Sequence, residues 1–454
     1  MLCFASAVLY HLRHAGLVLL AAMLALPAVT LYAQQLSGEE YLQTGYNGDA
    51  LDNPIAELAA GLESGELTLE WRAPRGYFDS FLEALGIDPD SQVLVFSKTS
   101  LQYQKISWQK PRGIYFNDNT WIGFVLDSDI VEITTMDDKL GPVFYVFNNT
   151  RSPGPGVERL NQRCLVCHDS NGTMGGGIPL LLARSGLYDY NGNQLQDISG
   201  IDNTTDQTPF AERWGGWFVT GQHGDQTHMG NIQLPNAGEV AQVGQYQLGN
   251  LDTLAGQDLF DTGPYTRASS DLVALMVLEH QVTVLNQLTY VKFKAPAVLA
   301  RAQMLDALQA PTWDALPERA QRTLKRMLDK LVQLMLMQDA ITLAEPISGN
   351  AGFRAWFEAQ GPRDTKGRSL RELDLDTRLF RYPLSYLVQS RELAMLPAFA
   401  RDYIWHELAA VLQGDKPHPA LESVSEEDLL AMFEILRETQ TEFAAVASVG
   451  RLGE

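Results

Sequence analysis

The chain has 454 residues, 45% hydrophobic and 20% charged, which excludes a collagen-like or broadly disordered protein and leaves room for a large core. Its formal net charge of −21 sets the surface against nucleic acid and anionic lipid heads, so no nucleic-acid partner is expected. With only three cysteines, Cys3, Cys164 and Cys167, it is not a disulfide-stapled scaffold.

Residues 1–33 contain no acidic residue, and Arg13 is their one cation besides the histidines. An apolar run from Leu17 to Leu26 is followed by Pro27 and ends in Leu31-Tyr32-Ala33. This is the layout of a secretory signal, too short for a spanning helix, which needs about 20 apolar residues. Cleavage after Ala33 and a periplasmic location are expected, with no membrane contact once the signal is gone. An uncleaved anchor is the alternative, because Leu31 is not the small residue usual at its position.

Residues 34–50 read as a polar leader. A helix is predicted over 54–64, with Pro54 at its start, and another from Tyr77 to Leu85, stopped by Gly86. The period then changes to short β-branched and aromatic runs at Gln92–Lys98, Gly113–Asn117, Trp121–Leu126, Ile130–Thr135 and Val143–Asn148. Turn residues at 117–119 and 127–129 make these an antiparallel sheet. A helix is predicted from Val157 to His168. Residues 169–265 show little periodicity, as expected of chain wrapped around something. Ser269–Leu288 is apolar on nearly every face and reads as a buried helix, and amphipathic helices are predicted over 314–344, 351–359, 392–413 and 424–447. The expected chain is α+β and mostly α: signal (1–33), leader with short helices (34–86), small antiparallel β-region (87–149), loop-rich haem-binding region (150–310) and C-terminal helical region (311–454).

The haem expectation rests on Cys164-Leu165-Val166-Cys167-His168. Two thiols on one helical turn reach the two vinyl groups of one porphyrin, and the adjacent imidazole binds the iron from the same side. A thioredoxin-like pair would want a βαβ context, a zinc site a second ligand pair, and a disulfide across two residues is strained. The expected cofactor is therefore one haem c, covalent through Cys164 and Cys167, with His168 as iron ligand. The run Arg213-Trp214-Gly215-Gly216-Trp217-Phe218 reads as a haem wall in which Arg213 pairs a propionate, or as a packed core turn. Arg378 and Arg381 offer a second cationic pair, with Asp374 and Asp376 as their alternative partners.

The Gly-rich segment Gly172–Leu180 resembles the loop that follows the haem motif in class I c-type cytochromes. The resemblance implies that the carbonyl of Pro179 orients the His168 ring. It also ranks Met229 first as the sixth iron ligand, since its distance along the chain from His168 matches the class I gap. His228, His280 and then His223 are the alternatives. For His280 a hydrogen-bonded core histidine is the competing reading. The chain as a whole is similar to a family of large single-haem exported bacterial proteins. The similarity lies in Ser97–Gln102, Ile114–Asp118, Arg213–Gly221 with His228–Asn231, and Gly367–Leu370 with Thr377–Pro383. The similarity implies a single architecture from sheet to C-terminal helices and brings no substrate. The expected haem itself points to electron transfer, as a carrier or the haem module of an oxidoreductase chain, and the acidic surface suits a basic redox partner. The alternatives are a peroxidase-like haem enzyme acting on a small molecule, with His223, His228 or Asp225 as distal acid/base, and a gas or redox sensor.

Overall fold

Capping residues set the first helices. The computed structural model describes residues 46, 48, 51–169, 178–197 and 203–449; the expected signal, most of the leader and the Gly-rich loop lie outside the described residues. Helix α1 (Pro54–Ser64) starts where the Asn53 side chain accepts the Ala56 N–H, and ends at Gly65 in the left-handed region. Helix α2 (Phe78–Ala84) stops before Gly86, also left-handed.

Six strands follow in antiparallel chain order: β1 (Val93–Val95), β2 (Arg112–Phe116), β3 (Thr120–Val125), β4 (Ile130–Asp137), β5 (Gly141–Asn148) and β6 (Gly156–Arg159). One face carries Tyr115, Ile122, Ile133 and Tyr145 in a cross-strand row. It packs on Ile55 and Leu58 of α1 and on Phe78 and Phe81 of α2, with Phe81 stacked on Phe147 at 4.3 Å. The opposite face carries Phe116, Trp121 and Met136, which join the large helical core. Strand β6 replaces the first part of the helix predicted from Val157. The free edge of β5 offers it a ladder, with Phe147 opposite Val157 and Tyr145 opposite Arg159, and that pairing overrides local preference. Helix α3 (Asn161–His168) therefore begins only after Leu160, whose N–H still bonds the Phe144 carbonyl at 2.9 Å.

Among the described residues between 178 and 270, regular structure is limited to the hairpin β7 (Gly186–Tyr188) and β8 (Gln194–Asp197) and 3-10 segments. Helix α4 (Leu272–Arg301) is longer than predicted and runs through Pro296. Around it pack α5 (Glu318–Met335), α6 (Ala351–Ala359), α7 (Arg391–Ala394), α8 (Ala398–Leu412), α9 (Glu426–Thr439) and α10 (Thr441–Val449). The helix predicted over 392–413 is split at Pro397, and that over 424–447 at Gln440. The fold is α+β and mostly helical. Among the described residues no helix is long and apolar enough to cross a membrane.

The start of α4 is held by Asp271, whose carboxylate accepts the Ala274 N–H at 2.7 Å and also takes the N–H of Asn350. Burial pushes this carboxyl up to about 6, against the pull of the backbone N–H groups. The native state then holds a proton that the unfolded chain releases nearer 4, so the contribution of Asp271 to stability falls as pH rises through that window. We expect Asp271→Asn, which keeps a capping side chain, to lose this dependence. Urea titrations at pH 4 and pH 7 should show a wild-type-minus-variant stability that drops by about 2 kcal/mol.

Candidate functional site

The C-x-x-C-H turn is planted on the inner face of the sheet. Strand β6 delivers the chain beside β5, and the Cys164 N–H then bonds the Leu160 carbonyl at 3.3 Å, opening α3. Both thiols are free, Cys164 half-buried and Cys167 exposed. Burial, then the nearby Glu132 carboxylate, pushes the Cys164 thiol up to about 11. A dithiol redox centre needs the opposite, a lowered thiol pKa.

His168 ends the helix with its ring 4.6 Å from that of Phe144. Its Nδ1 lies 2.7 Å from the carbonyl oxygen of Leu180, and the Leu180 N–H returns a bond to the His168 carbonyl at 2.9 Å. The acceptor is thus Leu180, not Pro179 as the resemblance implied. Both backbone groups of Leu180 face the end of α3, and in an extended segment the neighbouring carbonyl points the other way. Nδ1–H is therefore the donor, the tautomer is fixed, and the lone pair is on Nε2. Burial holds the ring below the usual histidine pKa, so it is the neutral form that sits here.

The segment after Leu180 is locked to α4. Asn286 donates to the Leu181 carbonyl at 2.9 Å and accepts its N–H at 2.8 Å. Beside His168 the sheet is incompletely covered. Along β2 and β4, Arg112, Ile114, Glu132 and Thr134 are half-exposed while the residues between them are buried. Gly123 sits in β3 between Arg112 and Glu132. A methyl there would press on Arg112 Cδ at 3.3 Å, and without it the guanidinium reaches Glu132 Oε2 at 3.1 Å across the intervening strand. Glu132 also accepts from Ser100 Oγ at 2.6 Å and from the Gln102 N–H at 3.1 Å. Arg112 Nε and Trp121 Nε1 are buried on this face without a hydrogen-bond partner.

These features fit a c-type haem on an observation independent of the motif. Arg112 Nε and Trp121 Nε1 are two spare N–H donors on the sheet face beside an imidazole whose Nε2 is available, and two free thiols lie on the same helical turn. Among the described residues no cluster of three or more His, Cys, Asp or Glu is arranged to hold a bare metal ion.

The other candidates are placed elsewhere. Arg213 is buried against Glu279, Nη1 to Oε2 at 2.8 Å, and donates to the carbonyls of Thr205, Asp206 and Thr208. It is a core clamp, not a group turned toward a propionate. Trp214 is buried beside Phe210 and His228. His280 spends Nδ1 on Asp206 at 2.9 Å and Nε2 on Ser385 at 2.7 Å, which leaves neither ring nitrogen for iron. Met229 packs with Leu187, Ile232 and Leu234, whereas Leu165 and Leu180 beside His168 belong to another cluster. His223 and His228 form a buried pair with ring centroids 4.7 Å apart. Their segment is pinned to the start of α4 by the bond from the Leu272 N–H to the Thr220 carbonyl. Leu181 is pinned at Asn286, about 21 Å further along the helix axis at its usual rise. Among the described residues no hydrogen bond or ring contact joins His168 to Met229 or to any of these histidines. Arg381 pairs with Asp428 at 2.7 Å, and Asp374 caps the N–H groups of Asp376 and Thr377.

Sequence reasoning missed Phe144, the Arg112–Glu132 pair and Asn286. Gly123 inside a strand and opposite charges on the strands flanking it were the available signals. Asn286, a polar residue in a buried helix, was the third.

Arg213→Met would leave Glu279 buried without its partner, a change that costs about 3–5 kcal/mol. We expect the urea midpoint to fall accordingly while thiol reactivity at Cys167 is unchanged, which separates a structural clamp from a residue that supports the Cys164–His168 turn. No known protein family, curated protein or solved structure matches this chain.

Proposed function

We propose that this chain is an exported c-type cytochrome that carries one haem through Cys164 and Cys167, with His168 as iron ligand, and that it transfers electrons. The observation that carries the reading is the His168–Leu180 bond at 2.7 Å. It presents Nε2 as the free ligand atom at the end of the turn that bears both thiols, and a hydrogen bond to the other ring nitrogen raises the basicity of an iron-binding imidazole. When bound, the haem would supply a reversible one-electron iron couple.

The protein's own residues do the rest. Phe144 and Leu180 fix the ring of His168, Glu132 and Arg112 place a compensated charge pair under it, and the spare N–H groups of Arg112 and Trp121 suit haem carboxylates. Val166, 81% exposed beside the exposed Cys167, gives the attachment turn an outward apolar face on which a redox partner can dock. The pattern of residues 1–33 supports export to the periplasm, where such thiols are matured.

Protein matured in cells able to attach haem should gain the mass of one porphyrin and keep it through denaturation. Replacing both Cys164 and Cys167 by Ser should abolish that gain. A purified wild-type chain with no added mass would sink the reading. Refusal of carbon monoxide by the reduced protein is expected of an electron carrier, and rapid binding would instead favour the enzyme or sensor.

A further inference from the structure

Charge is unevenly distributed in this acidic chain. Residues 91–117 contain Lys98, Lys105, Lys110 and Arg112 and not one Asp or Glu, although the whole chain has 55 acidic against 34 basic residues. The fold gathers the three lysines around one cavity of about 430 Å3, whose wall also includes Gln104, Ser107 and Asn191. That volume suits a small molecule.

The cavity is built from four separate stretches of chain, each held by other contacts. Ser107 and Lys110 close a tight turn with reciprocal backbone bonds of 3.1 Å, anchored by Trp108 in the cluster with Phe96 and Phe218. Asn191 is brought in because the Gly192 carbonyl accepts the Lys98 N–H at 3.0 Å. A side chain on Gly192 would collide with the Phe96 carbonyl at 2.3 Å, so the close approach requires glycine. The one acid in the lining is Asp127. Its carboxylate pairs with Lys110 and its carbonyl with Lys105, both at 2.5 Å. Asp189 lies within electrostatic reach of Lys98 but spends its oxygens on the N–H groups of Asn191 and Asn193 and the Asn193 side chain. Among the described residues the Lys98 ammonium makes no hydrogen bond or ion pair. Three cations against one acid leave a net positive hollow whose walls also carry amide and hydroxyl donors.

We propose that this hollow binds the oxyanion end of a small molecule, a phosphate or a carboxylate group, with Lys98 as the principal contact and Lys105 and Lys110 preset by Asp127. Small oxyanions take several charge-assisted hydrogen bonds at once, which this wall supplies. The site stands apart from the haem reading, since heat of binding is measured whether or not porphyrin is attached.

Isothermal titration of the full-length mature protein with inorganic phosphate and, separately, with citrate at low ionic strength tests it. Saturable one-to-one binding of either is expected, and the comparison tells a phosphate site from a carboxylate site. Lys98→Gln should weaken it about tenfold or more, whereas Lys330→Gln, at an exposed lysine elsewhere, should not. Asp127→Asn should tighten it severalfold by removing the opposing charge. Asp127 has φ 61°, a conformation asparagine tolerates, so this variant keeps its fold. No saturable heat with either anion, or equal affinity in wild type and Lys98→Gln, would overturn the proposal.

Discussion

The structure depends on one helix that buries polar side chains as well as apolar ones. On α4, Glu279, His280, Gln281, Asn286 and Gln287 are all buried. Groups of this kind must find partners or cost free energy. Here each finds them in a different part of the chain: Arg213, Asp206 with Ser385, Tyr386 with the Asn117 carbonyl, Leu181, and the Met327 carbonyl. The helix thus fixes the sheet, the irregular middle segment and the C-terminal helices in one frame. The long stretch with few regular elements is tied to this helix at Leu181 by Asn286, at Arg213 by Glu279 and at Asp206 by His280.

That frame explains how the thiol-bearing turn is held. The sheet supports it from one side through Phe144 and β6. The Leu180–Leu181 backbone supports it from the other, bonded to His168 and to Asn286. A single imidazole is therefore oriented by contacts to two independent layers. An electron-transfer centre gains from such rigidity, because less rearrangement accompanies a change of charge at a fixed ligand.

How much of this was legible in the sequence follows from the range of the interactions involved. Asn53 and Gly65 bound α1 by local capping, and β2 to β5 show their alternation and turns directly. These were readable because neighbours in sequence determine them. That Cys164, Cys167 and His168 share one helical turn was readable from their spacing. The β6 edge strand was not, since its partner β5 and not its own composition makes it a strand. Arg213 looked like a ligand-facing cation because a sequence does not show Glu279 on the far side of the core. Pro179 and Leu180 differ by one position, and only the direction of an extended backbone decides which carbonyl meets the ring.

Glu132 links the lysine-lined hollow to the Cys164–His168 segment. Its carboxylate is held by Arg112, by Ser100 Oγ and by the Gln102 N–H, so the loop that leads into the lysine-lined hollow also sets where this negative charge stands. The same carboxylate acts on both Cys164 and His168. In a haem protein, a fixed negative charge beside the proximal imidazole favours the oxidised iron, and a guanidinium that pairs with it weakens that preference. If haem is attached as proposed, the balance between Arg112 and Glu132 would be a local influence on its potential. The two side chains come from β2 and β4 and meet over β3, where Gly123 leaves the space between them open.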